Sequence, residues 1–388
     1  MTWRGVGIVS GWQVAASLCF YAIFAATAAV RETFGVSRTL VGVSLAAAMA
    51  GYTAMLFVTG PAVDGFGERP VMLAGLGVLG VGMAGVAVAP SFALLLVALL
   101  VVGGAYATAM PSTNRAVLVV APDGNRNLAM NVKQVGVTVG SGLGAVVVTT
   151  AAGTRYGWRA GFVVAAVLAA CVVTVFALTY DGHDGSGSLS TPDLRGLAGL
   201  DGYPAIVAAG FFFGAAVFTT TGYVVLHLTE SIGAAAAVAG AVLASIQVTG
   251  SVGRLVGGSV ADHLPGSDVR AAARVLVAQA LLATVAFGGV VAADTPLLAA
   301  GAFAVLGLFI LGFPGVYYAC LTALVPDDRV GAATAGGQTA LNLGGLATPP
   351  VFGFLADTLS YDTGWTLLAG STLVAGLLLV GLARDDHA

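Results

Sequence analysis

One arginine, Arg254, stands alone in a long uncharged stretch. From Ser231 to Ala261 it is the only charged residue. A guanidinium is permanently charged and presents a planar fork of N–H donors suited to oxyanions. The chemistry open to it is the capture of an anionic group such as a carboxylate. The competing reading is structural: an ion pair or a bond to a backbone carbonyl. A second group of ionisable residues comes in GPAVDGFGERP, residues 60–70, where Asp64, Glu68 and Arg69 lie between uncharged runs at 40–59 and 71–89. The amides Gln134, Gln338, Asn342 and Gln247 and the phenols Tyr21, Tyr317 and Tyr318 are candidates to shape a polar cavity, with helix packing as the alternative for each. No nucleophile–base pair, His-Glu-x-x-His zinc pattern or Walker loop appears. GLGVLG at 75–80 matches Gly-x-Gly-x-x-Gly but has no strand before it, so its context fails. These residues bind rather than make bonds. Neither an enzyme nor a cofactor or metal site is expected.

The elements that would position them follow from composition. The chain has 388 residues, 58% hydrophobic and 9% charged. An ordinary soluble domain carries about 25% charge, so this chain has too little to cover a surface in water. Apolar runs of roughly 20 residues, enough to cross a bilayer as helix, recur at 8–30, 39–59, 71–89, 92–120, 131–152, 160–180, 203–228, 234–260, 271–292, 296–324, 331–355 and 364–383. The first is longer than the roughly 7–15 residue core of a signal peptide and reads as a membrane helix. Cys19, Cys171 and Cys320 fall in apolar runs, which argues against a disulfide framework. The net charge of −3 gives no reason to expect a nucleic-acid partner. Lys and Arg in the short loops favour one side nine to four, which places both termini in the cytoplasm. Lys133 is expected at the membrane interface. Arg115, inside the fourth span, is expected to snorkel to the interface, to line the lower cavity, or to pair with Asp64 or Asp123. By these boundaries no carboxylate lies in the interior of a span.

The polar segment 181–202, rich in Gly, Ser and Asp, reads as a flexible linker. It separates 1–180 from 203–388, two halves of six spans each. The halves resemble one another. Asp64 and Asp262 are 198 apart, and each lies four residues after a glycine, Gly60 or Gly258. Pro122 and Pro326, and likewise Gln134 and Gln338, are 204 apart, and Trp158 and Trp365 are 207 apart. Landmarks that keep nearly one offset and one order point to a six-helix unit used twice. The turn after the second span needs glycine for its backbone, and Asp64 is expected to cap the helix that follows.

With these features the chain resembles the major facilitator superfamily of secondary transporters. The family's loop after the second helix runs roughly Gly-x-x-x-Asp-Arg-x-Gly-Arg-Arg. Gly60, Asp64, Gly67 and Arg69 match it, and Gly258 and Asp262 match in the second copy. Gly65 and Glu68 replace basic residues, and His263 stands where arginine is usual. The resemblance implies an all-α integral membrane fold of twelve helices in two pseudo-symmetric six-helix bundles, with a solute site between them and transport by alternating access. It implies a monomer in the cell membrane whose partners are a small solute, lipid and, where transport is coupled, a proton or ion. It also implies that Gly60, Asp64, Gly67, Arg69, Gly258, Asp262 and Arg115 serve gating. In the monocarboxylate and oxalate branches a substrate-binding arginine lies in the eighth helix, as Arg254 does here. Those branches also use a lysine in the first or eleventh helix, which this chain lacks. A small organic or inorganic anion is the expected solute. Efflux of amphipathic compounds is the alternative. A non-transporting sensor is not expected, because the tails and linker are too short for an output domain.

Overall fold

A computed structural model of the chain describes residues 3–122, 126–182, 195–326 and 329–384, without the side chains of Asn127 and Arg195. The regular structure is helical, with no strand among the described residues. In chain order the helices are α1 (Trp3–Ala25), α2 (Thr27–Phe34), α3 (Arg38–Phe66), α4 (Glu68–Val88), α5 (Phe92–Tyr106), α6 (Ala109–Val120), α7 (Arg126–Ala152) and α8 (Trp158–Thr179). They continue as α9 (Tyr203–Glu230), α10 (Ala236–His263), α11 (Asp268–Val291), α12 (Pro296–Ile310), α13 (Pro314–Ala323), α14 (Val330–Thr358) and α15 (Tyr361–Arg384). Lipid offers no hydrogen bonds, so an apolar segment that crosses it must pair its own backbone, and helix is the local solution. Among the described residues, eleven helical segments are long and apolar enough to span a membrane. The remaining expected span, 331–355, forms the 29-residue α14. Its glycines, threonines, Gln338 and Asn342 leave it less apolar than the others.

Two runs read as single helices are broken. The segment 92–120 divides into α5 and α6, and 296–324 divides into α12 and α13. Proline lacks the N–H that would continue the ladder and crowds the carbonyl four residues back. Pro111 and Pro314 stand just beyond the two breaks, 203 residues apart.

The chain packs as two compact units. One comprises Met1–Gly35, Ala47–Thr191 and Ala236–Ala244, and the other Val36–Ala46, Pro192–Ala235 and Ser245–Ala388. In the first unit, a Cβ added to Gly51 would lie 2.0 Å from the Leu100 carbonyl oxygen. One added to Gly103 would lie 1.8 Å from that of Ala48. The α3 and α5 backbones therefore touch through reciprocal glycines, as small residues permit in membranes. Gly140, in the GSGLG run, faces the Val14 carbonyl in the same way and seats α7 on α1. In the second unit Gly214 and Gly344 do this for α9 and α14. The core there joins Ile206, Phe213, Phe313, Tyr317 and Leu321. Leu197 enters the same core fully buried. The end of the supposed flexible linker is thus packed, because one leucine gives it an apolar anchor. Residues 183–194 of that linker lie outside the described residues.

Gly103→Ala should lower the melting temperature of the detergent-purified protein, at a cost of at least about 1–3 kcal/mol from overpacking. Gly288→Ala, where an added Cβ meets nothing within 4 Å, should leave it unchanged or slightly raised. Equal melting temperatures for the two would refute the glycine contact.

Candidate functional site

The 60–70 loop differs from its sequence reading in one respect. Asp64 does not cap the following helix. It lies in the last turn of α3, and the N-cap of α4 is Gly67, which makes no side-chain cap bond. Gly67 has φ 87° and ψ 166°, a conformation that favours glycine. The dipole end of α4 is met instead by Glu68 in its first turn. Glu68 is fully buried. Its Oε1 accepts from the Tyr180 hydroxyl at 3.0 Å, and Oε2 lies 3.2 Å from Arg115 Nε. Arg115 also donates to the Val63 carbonyl at 3.1 Å and lies 3.7 Å from Asp64 Oδ1. Of the expectations for Arg115, the pairing with Asp64 is present, and Arg115 staples the α3–α4 turn to α6. The alternative acid, Asp123, lies outside the described residues. Arg69 donates to the Ala177 carbonyl at 2.9 Å, tying α4 to α8. Gly60 is helical, and an added Cβ there would meet nothing.

The second loop is built differently. Gly258 is likewise open, and Asp262 is exposed with no ion pair among the described residues. Arg274 holds this turn through backbone carbonyls, reaching Pro265 at 3.1 Å and Ala383 at 3.2 Å.

Arg254 is half-buried in α10, about three turns before its end. Its Nε donates to the Leu311 carbonyl at 2.8 Å, at the break between α12 and α13. The first unit contains a counterpart. The Ala107 carbonyl, at the α5–α6 break, accepts from the Thr59 hydroxyl at 3.0 Å. Ala107 and Leu311 are 204 residues apart, the offset of the repeat. Each break frees a carbonyl, and a side chain from the helix before the motif loop satisfies it. A hydroxyl suffices in one half; a guanidinium does it in the other.

Three polar clusters lie within the spans. Lys133, expected at the interface, is instead fully buried in α7. Its Nζ lies 2.6 Å from Asn114 Oδ1 and 3.8 Å from the Met110 sulfur, both neutral. The residue seven positions into a helix cannot reach the water when its face packs against α6. In α1, Gln13 donates to Ser17 at 3.0 Å and accepts from Thr113 at 2.9 Å, and Ser17 lies 3.3 Å from the Tyr106 hydroxyl. In α13 and α14, Tyr318 donates to Gln338, and Gln338 donates to Asn342 Oδ1 at 2.8 Å. Asn342 is fully buried, and its Nδ2 has no partner among the described residues. This chain of donors ends on an open donor. Asn114 and Tyr318 are 204 apart, as are Gln134 and Gln338, so the repeat puts polar contacts at matched places.

The other candidates scatter. Gln134 is half-buried beside Lys133 in sequence. Tyr21 packs edge-on against Phe20 and Tyr106, whose rings stack at 4.2 Å. Tyr317 is fully buried in the second core, with its hydroxyl 3.4 Å from the Gly337 carbonyl. Gln247 is buried in α10. One cluster escaped the sequence reading. At the start of α3, Arg38 Nε reaches Glu230 at 2.8 Å and the Tyr361 hydroxyl at 3.1 Å. Asp357 accepts from the backbone amides of Arg38 and Thr39 at 3.0 and 2.8 Å. The lone signal for it was a charged residue at each of several helix ends.

Removing Arg115 would leave the Glu68 carboxylate buried without its cation. Arg115→Ala should cost about 1–3 kcal/mol, less than the loss for a fully buried pair because Arg115 is 30% exposed. Arg115→Ala/Glu68→Gln should lose less than the single variant. Thermal unfolding in detergent checks this, and a double variant no more stable than Arg115→Ala would mean the carboxylate does not depend on that cation.

The comparisons with known proteins agree with this architecture. The family model described as Major Facilitator Superfamily matches residues 10–318 and 206–388. No curated protein matches the chain. Among solved structures, the chain is similar to a bacterial homolog of the human lysosomal transporter Spinster in an inward-facing and occupied conformation. The TM-score is 0.79 at 14% identity, over 97% of this chain and 94% of that one. It is also similar to a POT family transporter in complex with 5-aminolevulinic acid, with TM-score 0.80 at 13% identity over 99% and 97% of the two chains. At such identities the structures speak for the fold, and the family match runs the length of the sequence. This multi-pass membrane protein belongs to the major facilitator superfamily of transporters.

Proposed function

We propose that the protein moves a small organic or inorganic anion, such as a monocarboxylate, with Arg254 holding the anionic group. One observation carries this reading. The carbonyl freed at the α12–α13 break needs a single donor, and in the other half Thr59 meets the same need with a hydroxyl. Arginine adds a fixed charge that the matching Thr59 does not. The open Nδ2 of Asn342 supports an acceptor-rich solute. So does the placement of charge. The carboxylates among the described residues lie near helix ends or in loops, while Arg254 and Lys133 lie within spans. Charges inside membrane helices are costly and mark solute pathways. The transporter works as a monomer in the cell membrane, with both termini cytoplasmic, and its halves 1–180 and 203–388 rock about the 181–202 linker.

A second reading, efflux of amphipathic compounds, has support in the packed rings of Phe20, Tyr21, Tyr52 and Tyr106 in the first unit.

A thermal-shift screen of the purified protein separates them, because a ligand that binds the folded state raises its melting temperature. The screen takes small carboxylates including 5-aminolevulinic acid, inorganic anions and amphipathic cations, and hits proceed to uptake in proteoliposomes. A carboxylate or inorganic anion should stabilise the wild type. Arg254→Gln keeps an N–H for Leu311 and removes the charge, so it should melt within a few degrees of wild type yet lose the anion shift and uptake. If Arg254→Gln keeps the shift, the anion assignment fails. Shifts with amphipathic cations alone favour efflux.

A further inference from the structure

The first unit carries a cleft that the transport reading does not use. It opens between α1 and α8, has a volume of about 400 Å3, and is walled by Gly7 and Gly11 on one side and Val172, Val175 and Phe176 on the other. The two glycines lie one helical turn apart on one face. Gly51, Gly103 and Gly140 of this unit sit where backbones touch, but a Cβ added to Gly7 or Gly11 would meet nothing within 4 Å, as at Gly60, Gly77 and Gly142. Glycine in a helix interior is unfavourable, and close helix packing does not account for these two. Their effect is to leave a slot. At its end the slot joins a polar pocket of about 260 Å3 that shares Arg4 and is lined by Thr179 and Asp181.

We propose that this cleft binds one phospholipid with a zwitterionic, primary-ammonium head group, the acyl chain in the slot and the head group in the polar pocket. Charge complementarity selects the occupant. Arg4 lies in the first turn of α1, where both the guanidinium and the helix dipole favour the phosphate. Asp181 directly follows the C-cap of α8, where the carboxylate and the opposite dipole end favour an ammonium. A purely anionic head group would face Asp181. A choline head group has no N–H to give to Asp181 or Thr179. An acyl chain gains little by leaving bilayer for slot, since both are apolar, so selectivity rests on the head group and occupancy on the empty volume.

Native mass spectrometry of the full-length protein, titrated with phosphatidylethanolamine, phosphatidylcholine or phosphatidylglycerol, tests this. The wild type should retain one phosphatidylethanolamine with about tenfold preference over the other two. Gly7→Leu/Gly11→Leu, at positions where an added Cβ meets nothing within 4 Å, narrows the slot and should lose the retained lipid while the protein still melts cooperatively. Arg4→Ala, at an exposed position, should abolish the preference among head groups. Cys171 gives a second readout. It lines the slot and is exposed, whereas Cys19 and Cys320 are buried. Phosphatidylethanolamine should slow its alkylation by a membrane-permeant maleimide. Equal retention of all three lipids by the wild type overturns the proposal, as does undiminished retention in the glycine variant or an unchanged preference in Arg4→Ala.

Discussion

A backbone carbonyl freed inside a membrane must find a donor within the protein, because lipid has none. Each one left unmet costs several kcal/mol. This constraint governs the two places where the chain departs from continuous helix. Pro111 lacks the N–H that would meet the Ala107 carbonyl, Pro314 stands just beyond the second break, and the carbonyls of Ala107 and Leu311 take side-chain donors instead. Thr59 and Arg254 answer from neighbouring helices. The same demand explains why the rest is helical and why Gln13, Ser17 and Thr113, and likewise Tyr318, Gln338 and Asn342, bond to one another within spans. The Nε bond of Arg254 fixes where its guanidinium stands.

Charge follows a second rule: it gathers at helix ends and is spent on fastening. In the first unit Arg115 gathers Asp64, Glu68 and the Val63 carbonyl, and Glu68 is held from its other oxygen by Tyr180. In the second unit the corresponding loop has no arginine at the position equivalent to Arg115, where Ala319 stands. Asp262 is left in solvent, and Arg274 takes over through carbonyls. A duplicated unit has thus kept its glycines and aspartates while changing how the turn is tied. Helix α3 is anchored at both ends, by Arg38 at its start and Asp64 at its finish, although these contacts belong to different units.

Much of the fold was legible without coordinates. Apolar length, scarcity of charge and a repeat near 204 residues follow from composition and spacing alone, and so does the family's loop motif. Those features are local or periodic. The glycine pairs at helix crossings were legible as a class, since small residues spaced in membrane helices imply close contact. Which glycines touch was not. Gly103 meets a carbonyl, whereas Gly7 and Gly60 meet nothing.

The sequence by itself determined that the chain spans a membrane as helices, that its halves repeat, and that Arg254 and Arg115 stand within apolar runs. The tertiary structure alone decided what those charges do. Lys133 is buried against Asn114 rather than at the interface, Asp64 pairs instead of capping, Glu68 is sealed inside, and Arg254 caps a broken helix. The physical reason is that burial and pairing depend on which helix faces meet, and partners such as Glu68 and Tyr180 stand 112 positions apart. A one-dimensional pattern records the period of a helix; its neighbours are set by packing.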